Sequence, residues 1–154
     1  MDTSAEIERE LNILMQELIA AYDAKGMRAS GRWADSLQVE VNGTRGILTG
    51  LQYTEQLQYG RRAGRFPPVE QIEQWIRDKG IQAIDASINI RTLAFLIARK
   101  ISREGWNRQG FGGVELVDEV LTPARIQQAL DNISLTAATV LSEMIMVEFS
   151  DLNV

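Results

Sequence analysis

The 154-residue chain carries 16 Lys/Arg against 21 Asp/Glu, a net charge of −5, with 45% hydrophobic residues and neither cysteine nor histidine. That balance belongs to a folded domain of ordinary size, able to close a core without disulfides or metal staples. The absent residue types exclude thiolate nucleophiles, zinc ribbons, iron–sulfur clusters and the Ser-His and Cys-His pairings of hydrolases.

The first predicted element is a long helix. Thr3 and Glu6 stand at capping-box spacing, and Ile7, Leu11, Leu14, Leu18 and Ala21 follow at intervals of four and three. Gly26 is a plausible stop. After a loop to Gly31, Leu37, Val39 and Val41 alternate with Ser36, Gln38 and Glu40, the period of a half-buried strand. Asn42-Gly43 is a strong hairpin signal because both turn positions favour positive φ, and residues 44–49 form the return strand. A third strand is expected near Val114 to Val120.

A short helix is expected over Leu51 to Tyr59, then an arginine-rich loop, then a helix opened by Pro67-Pro68 with Val69, Ile72, Trp75 and Ile76 as its apolar stripe. Arg77 and Lys79 suit its carboxyl end, and Gly80 ends it. The next helix runs from about Asn89 to Glu104, with Leu93, Leu96, Ile97, Lys100 and Ile101 on one side and Arg91, Arg99 and Arg103 on the exposed side. A glycine-rich stretch from Trp106 to Gly113 leads to the last helix. Thr122-Pro123 opens that helix, which is expected to reach Glu148. Ile126, Leu130, Ile133, Ala137, Val140 or Leu141, and Met144 recur in sevens along it. Most of that stripe is expected to bury against the chain's own fold.

These elements give an α+β fold: a mostly helical single domain over 1–154 with a small antiparallel hairpin. A terminal helix at 3–25 and another at 123–149 flank an α+β core at 31–121. No stretch approaches the roughly 18 apolar residues of a membrane span, and the acidic start Met1-Asp2-Thr3-Ser4-Ala5-Glu6 is unlike a signal peptide, so a cytosolic protein is expected.

Charge is unevenly spread. Residues 59–110 hold ten Lys/Arg and five Asp/Glu, a net of +5, while the remainder nets −10. Opposed patches suit head-to-tail packing of identical subunits, and chance clustering is the plain alternative. Arg61, Arg62 and Arg65, flanked by Tyr59 and Phe66, combine the residue types that interface centres favour and that also suit phosphate contacts. A protein interface is the first expectation there and nucleic acid the second. Phe111, and Met144 and Met146 in the distal turns of the last helix, are further interface candidates. Glu115, Asp118 and Glu119 supply carboxylates of the kind that hold Mg²⁺ in nucleases, yet hard-cation sites need several convergent oxygens, and a solvated acidic stretch before a helix is the stronger reading. Gly110-Phe111-Gly112-Gly113 lacks the Gly-Lys-Ser/Thr ending of a phosphate-binding loop and reads as a joint.

Between about Gly31 and Leu121 the order of elements resembles the neck, tail-completion and head–tail connector proteins of tailed bacteriophages. The resemblance is densest in Tyr53-Thr54-Glu55-Gln56-Leu57-Gln58-Tyr59-Gly60, Pro67-Pro68, Ile72, Trp75-Ile76 and Lys79-Gly80. It continues through Leu93, Ala94, Ile97, Ala98, Ile101, Gly105 and Gly110-Phe111. Gln58 departs from the pattern, since relatives often carry Glu there. The resemblance implies a structural virion subunit without enzymatic activity, cofactor or membrane partner, assembled in the host cytoplasm. It implies a homo-oligomeric ring, commonly of six or twelve copies, joining portal or adaptor proteins to the tail around the DNA exit channel.

Overall fold

The structure, a computed structural model, describes residues 3–51, 54–83, 85–106 and 115–151, with 140–151 described by their backbone. In chain order the elements are α1 (Ser4–Ala24), α2 (Arg32–Asp35), β1 (Gln38–Asn42), β2 (Arg45–Thr49), α3 (Thr54–Tyr59), α4 (Val69–Lys79), α5 (Ile90–Glu104), α6 (Leu116–Val120) and α7 (Pro123–Asp151). The class is α+β, mostly helical, with long first and last helices around one small antiparallel sheet.

The spacing of apolar residues along α1 places Ile7, Leu14, Leu18 and Tyr22 on one buried face, together with Glu10. The Thr3–Glu6 capping box does not form: Thr3 makes no side-chain cap bond, and Glu6 pairs with Arg9 at 2.7 Å. Against α1 lies the hairpin, with Gln38 opposite Thr49 and Asn42 opposite Arg45. The hairpin forms, but its two turn residues are Gly43 and Thr44: Asn42 stays in β1 opposite Arg45, and of the pair expected to turn only Gly43 takes positive φ, 60°. Gly46 matters for space: a Cβ there would lie 2.4 Å from Leu11 Cδ1 and 2.5 Å from Ile7 Cγ2, so its lack of a side chain sets how closely β2 approaches α1.

Arg32–Asp35, between the expected loop and the expected strand, form the single turn α2. It buries Trp33, only 1% exposed, against Tyr22 with ring centroids 4.4 Å apart. The Trp33 indole Nε1 donates to Thr54 Oγ1 at 2.9 Å, so the ring is buried without leaving its polar atom unpaired. Leu18, Tyr22, Met27, Trp33, Leu57 and Leu116 make up the main core.

The expected third strand is corrected: residues 116–120 form α6, and the sheet has two strands among the described residues. Leu116, Val117 and Val120 stand at positions i, i+1 and i+4, a helical spacing, and Leu116 is 1% exposed in the main core. Gln58 holds the start of α6, its side-chain Oε1 accepting from Val117 N at 2.7 Å while its carbonyl accepts from Glu115 N at 3.0 Å.

Helices α4 and α5 pack as a pair on a second cluster, Ile72 and Ile76 against Ala94 and Ala98. The two alanines let the helix axes come close, and Ile76, Ala94 and Ala98 are fully enclosed. Gly80 closes α4 in the left-handed conformation, as predicted. Asn89 caps α5 by accepting from Thr92 N at 2.8 Å.

The apolar stripe of α7 also departs from expectation. The helix faces α1 with Arg125, Ala129 and Asn132, and Ala129 is buried. The departure is in its first two members: Ile126 is 44% and Leu130 52% exposed, about a quarter turn from that face, whereas Ile133 and Ala137 are half-buried and the Met144 side chain lies outside the described residues. The face beside α1 is small or polar because it meets Glu10 and Glu17, so Ile126 and Leu130 are displaced outward.

Candidate interaction surfaces

The arginine loop is pinned to the end of α5. Arg61 and Trp106 exchange both backbone hydrogen bonds, at 2.8 and 2.7 Å. Gly105 permits this approach: at φ 77° it carries no Cβ where one would lie 2.3 Å from the Arg61 carbonyl oxygen. Further along, Gly64 N donates to Ser102 O, and Ser102 Oγ donates to Gly64 O, each at 2.8 Å. The Arg61 guanidinium turns inward and donates to Arg65 O at 2.7 Å.

Tyr59, Arg61, Arg62, Arg65 and Phe66 differ in their exposure and contacts. Arg61 lines a cleft, whereas Arg62 and Arg65 are exposed. Phe66 packs on Phe95 at 5.6 Å between ring centroids, with both rings still nearly half exposed. Tyr59, 72% exposed, stands at the end of α3. Phe111 and the Gly110–Gly113 segment lie outside the described residues, as do the side chains of Met144 and Met146.

The cleft, of about 650 Å³, lies where the α4–α5 pair meets the main body. Gln71, Ile72, Trp75 and Lys79 give one face of α4 to it, and Ile97, Lys100 and Ile101 give one face of α5. Met27, Leu57 and Trp106 stand on the main-body side. Among the described residues its lining holds three cations, Arg61, Lys79 and Lys100, and no carboxylate. The Lys79 ammonium donates to the carbonyl of Gly26, fastening α4 to the chain just beyond α1. Lys100 is held only loosely, 3.9 Å from Glu104 with its side chain 73% exposed.

Sequence reading missed this cleft. Trp75 and Lys100 looked like members of apolar stripes, but Ile76 takes the buried position of its helix and Trp75 stays 41% exposed. A lysine among Leu93, Ile97 and Ile101 was the available signal that this stripe ends at solvent.

The third surface is α7 itself. Arg125 binds Glu17 side-on, through Nε at 2.9 Å and Nη2 at 3.0 Å. These hydrogen bonds from the guanidinium to Glu17 raise the Arg125 pKa, outweighing burial and adding to the attraction of Glu17 and Glu10. Asn132 Nδ2 donates to Glu10 Oε1 at 3.1 Å. Pairing 125 with 17 and 132 with 10 makes the helices antiparallel, with residue 4 level with about residue 138. The rest of α7 runs on to Asp151, roughly 20 Å beyond the start of α1.

The acidic residues before α7 do not converge. Glu119 pairs with Lys25 at 2.5 Å, and Glu115 is the left-handed residue that precedes α6. Among the described residues no group of three or more His, Cys, Asp or Glu is placed to hold a metal ion, and no helix is long and apolar enough to cross a membrane. Comparison of the chain with family models, with curated proteins and with solved structures gives no match.

Proposed function

We propose that this chain is a structural subunit that works by self-assembly, a neck or head–tail connector protein of a tailed bacteriophage. The observation that carries the self-assembly is the outward turn of the α7 stripe, which leaves Ile126 and Leu130 about half exposed beside a helix already anchored by polar contacts. Exposed apolar side chains one helical turn apart on one face favour a protein partner. The segregation of +5 on residues 59–110 from −10 elsewhere suits a head-to-tail contact, which closes into a ring when the rotation between subunits allows it. The phage assignment rests on the pattern of residues 31–121 described above, and the ring of six or twelve copies, its portal or adaptor and tail partners, its place in the virion and its lack of enzymatic activity come with it.

Native mass spectrometry and negative-stain microscopy of the purified chain test the assembly, and proteomics of purified virions tests the location. A closed ring present in mature particles is the expected result. A chain that stays monomeric at all concentrations and is absent from virions overturns it.

The second reading, nucleic-acid binding through residues 59–110, is favoured by the exposure of Arg62, Arg65, Arg99 and Arg103. It requires DNA affinity that falls steeply with salt and with Arg62→Ala or Arg65→Ala.

A further inference from the structure

We propose that the cleft between the α4–α5 pair and the main body is the seat for helix α7 of a second copy of this chain, a contact that presupposes the self-assembly proposed above. The occupant is chosen by charge and by shape. Around the cleft stand Arg61, Lys79 and Lys100, with no carboxylate among the described lining residues. Beyond Arg125, residues 126–154 contain Asp131, Glu143, Glu148 and Asp151 and not one Lys or Arg. The cleft lining is cationic, with Glu104 beside Lys100 as its nearest described carboxylate, and the helix beyond Arg125 is anionic.

The apolar parts match as well. Between its cations the cleft offers Trp75, Ile97 and Trp106, and α7 offers Ile126 and Leu130 on a face its own α1 leaves open. Lys79 already spends a hydrogen bond on Gly26, and Arg61 one on Arg65, so Lys100 is the lining cation with most freedom to meet an incoming carboxylate. DNA would also be drawn by the three cations, but it offers no apolar stripe for the tryptophans to cover.

Seating of helix in cleft is heterologous: each copy presents one of each, so the contact repeats from subunit to subunit and can close a ring. An α7–α7 seam between two copies would instead be self-complementary and stop at a dimer.

Charge exchange in the full-length protein distinguishes these. One variant carries Lys100→Glu in the cleft, and the other carries Asp131→Lys beside Leu130 on the helix. Both are surface changes, and circular dichroism with thermal melting verifies that each variant is folded. Each variant alone should lose the wild-type oligomer by analytical ultracentrifugation, raising the concentration for half-assembly by tenfold or more. Mixed in equal amounts they should recover it, because the reversed helix meets the reversed cleft and the two unaltered surfaces meet each other. Trp fluorescence should shift to the blue on mixing as Trp75 and Trp106 become covered, and the shift should shrink in a Trp75→Phe background.

A wild-type oligomer unaffected by both variants overturns this seating and leaves self-assembly standing. Loss in both without recovery on mixing also overturns it. A wild-type chain that is monomeric throughout overturns the assembly itself.

Discussion

Arg125 and Glu17 meet side-on across 108 residues of chain, two guanidinium nitrogens on two carboxylate oxygens, and this pair is what fastens the last helix to the first. Its surroundings raise the stakes. Glu10, 3% exposed, lies 4.0 Å from Arg125 Nη1 and 3.7 Å from Arg9, and it accepts from Asn132. Removing the arginine leaves a buried carboxylate with only distant cationic support. Arg125→Ala should therefore destabilise the chain by about 2–3 kcal/mol, below the range for a fully buried pair because Glu17 is 39% exposed and partly screened by water. For a domain of this size that is a fall of roughly 5–10 °C in Tm by calorimetry. Arg125→Lys should recover only part of it, since an ammonium cannot make both parallel bonds.

Gly105 is a second point on which geometry depends. Gly105→Ala must relieve a Cβ contact of 2.3 Å with the Arg61 carbonyl oxygen, and both that atom and the neighbouring Ala63 nitrogen are backbone. The left-handed φ of 77° adds further strain for an alanine. Loss of the Arg61–Trp106 bridge should follow, with about 2–4 kcal/mol of destabilisation. Trp106 would move toward water, seen as a red shift of its fluorescence in a Trp33→Phe, Trp75→Phe background and measured against that background alone.

How much of this was legible in the sequence depends on how far apart the deciding residues stand. The first helix, the hairpin and the α4 boundaries were set by local signals, namely apolar spacing, Asn42-Gly43, and Pro68 with Gly80. Those signals survive because they act within a turn or two of helix. Residues 114–120 misled because Val114, Leu116 and Val120 share a parity while Leu116, Val117 and Val120 share a helical spacing, and what decides between them is burial of Leu116 beside Trp33 and Leu57. The single turn α2 has no local signature strong enough to show, since its stabilisation comes from Tyr22 and Thr54. The cleft was hidden for the same reason. It exists only once a two-helix unit with its own small core leans on the main body through Gly26, Arg61 and Ser102.

Gln58 stands at the start of the contact between α3 and α6. Its side-chain oxygen accepts from Val117 N, but its Nε2 is buried without a hydrogen-bond partner among the described residues. Gln58→Ala removes the acceptor that holds the start of α6 and should cost about 1–2 kcal/mol. Gln58→Glu keeps an acceptor, places negative charge at a helix start and removes the unpaired amide. Burial of an unpaired carboxylate oxygen opposes this gain, so at neutral pH a urea midpoint above that of Gln58→Ala would show that the Val117 bond outweighs the desolvation, and one below alanine that it does not.

Acid sensitivity should come in part from the end of α1. Arg28 donates to both oxygens of Asp23, at 2.7 and 3.0 Å, and those hydrogen bonds lower the Asp23 pKa against a smaller opposing effect of burial. A carboxylate whose pKa is lower folded than unfolded binds its proton more readily in the unfolded chain. Its contribution is present in full above the unfolded value, near 3.9, and disappears as pH falls through the folded one. Asp23→Asn should accordingly reduce stability at pH 6 and make no difference well below pH 3, so the two Tm curves converge in acid. Parallel curves across that range would show that the pair contributes nothing.

The last prediction separates fold from assembly on α7. Ile126 and Leu130 are 44% and 52% exposed in the single chain, so Ile126→Gln with Leu130→Gln removes little buried surface from the subunit itself. Glutamine keeps good helix propensity, and substitutions of this kind at exposed positions usually fall within about 0.5 kcal/mol each. The monomer should melt within a few degrees of wild type, measured at concentrations low enough to prevent association. If these side chains cover another subunit, the same variant loses apolar burial at every contact around the assembly, and sedimentation should show subunits where the wild type shows a ring. A variant that assembles normally would remove α7 from the interface, whereas one that unfolds as a monomer would mean that the exposed stripe supports the subunit's own fold.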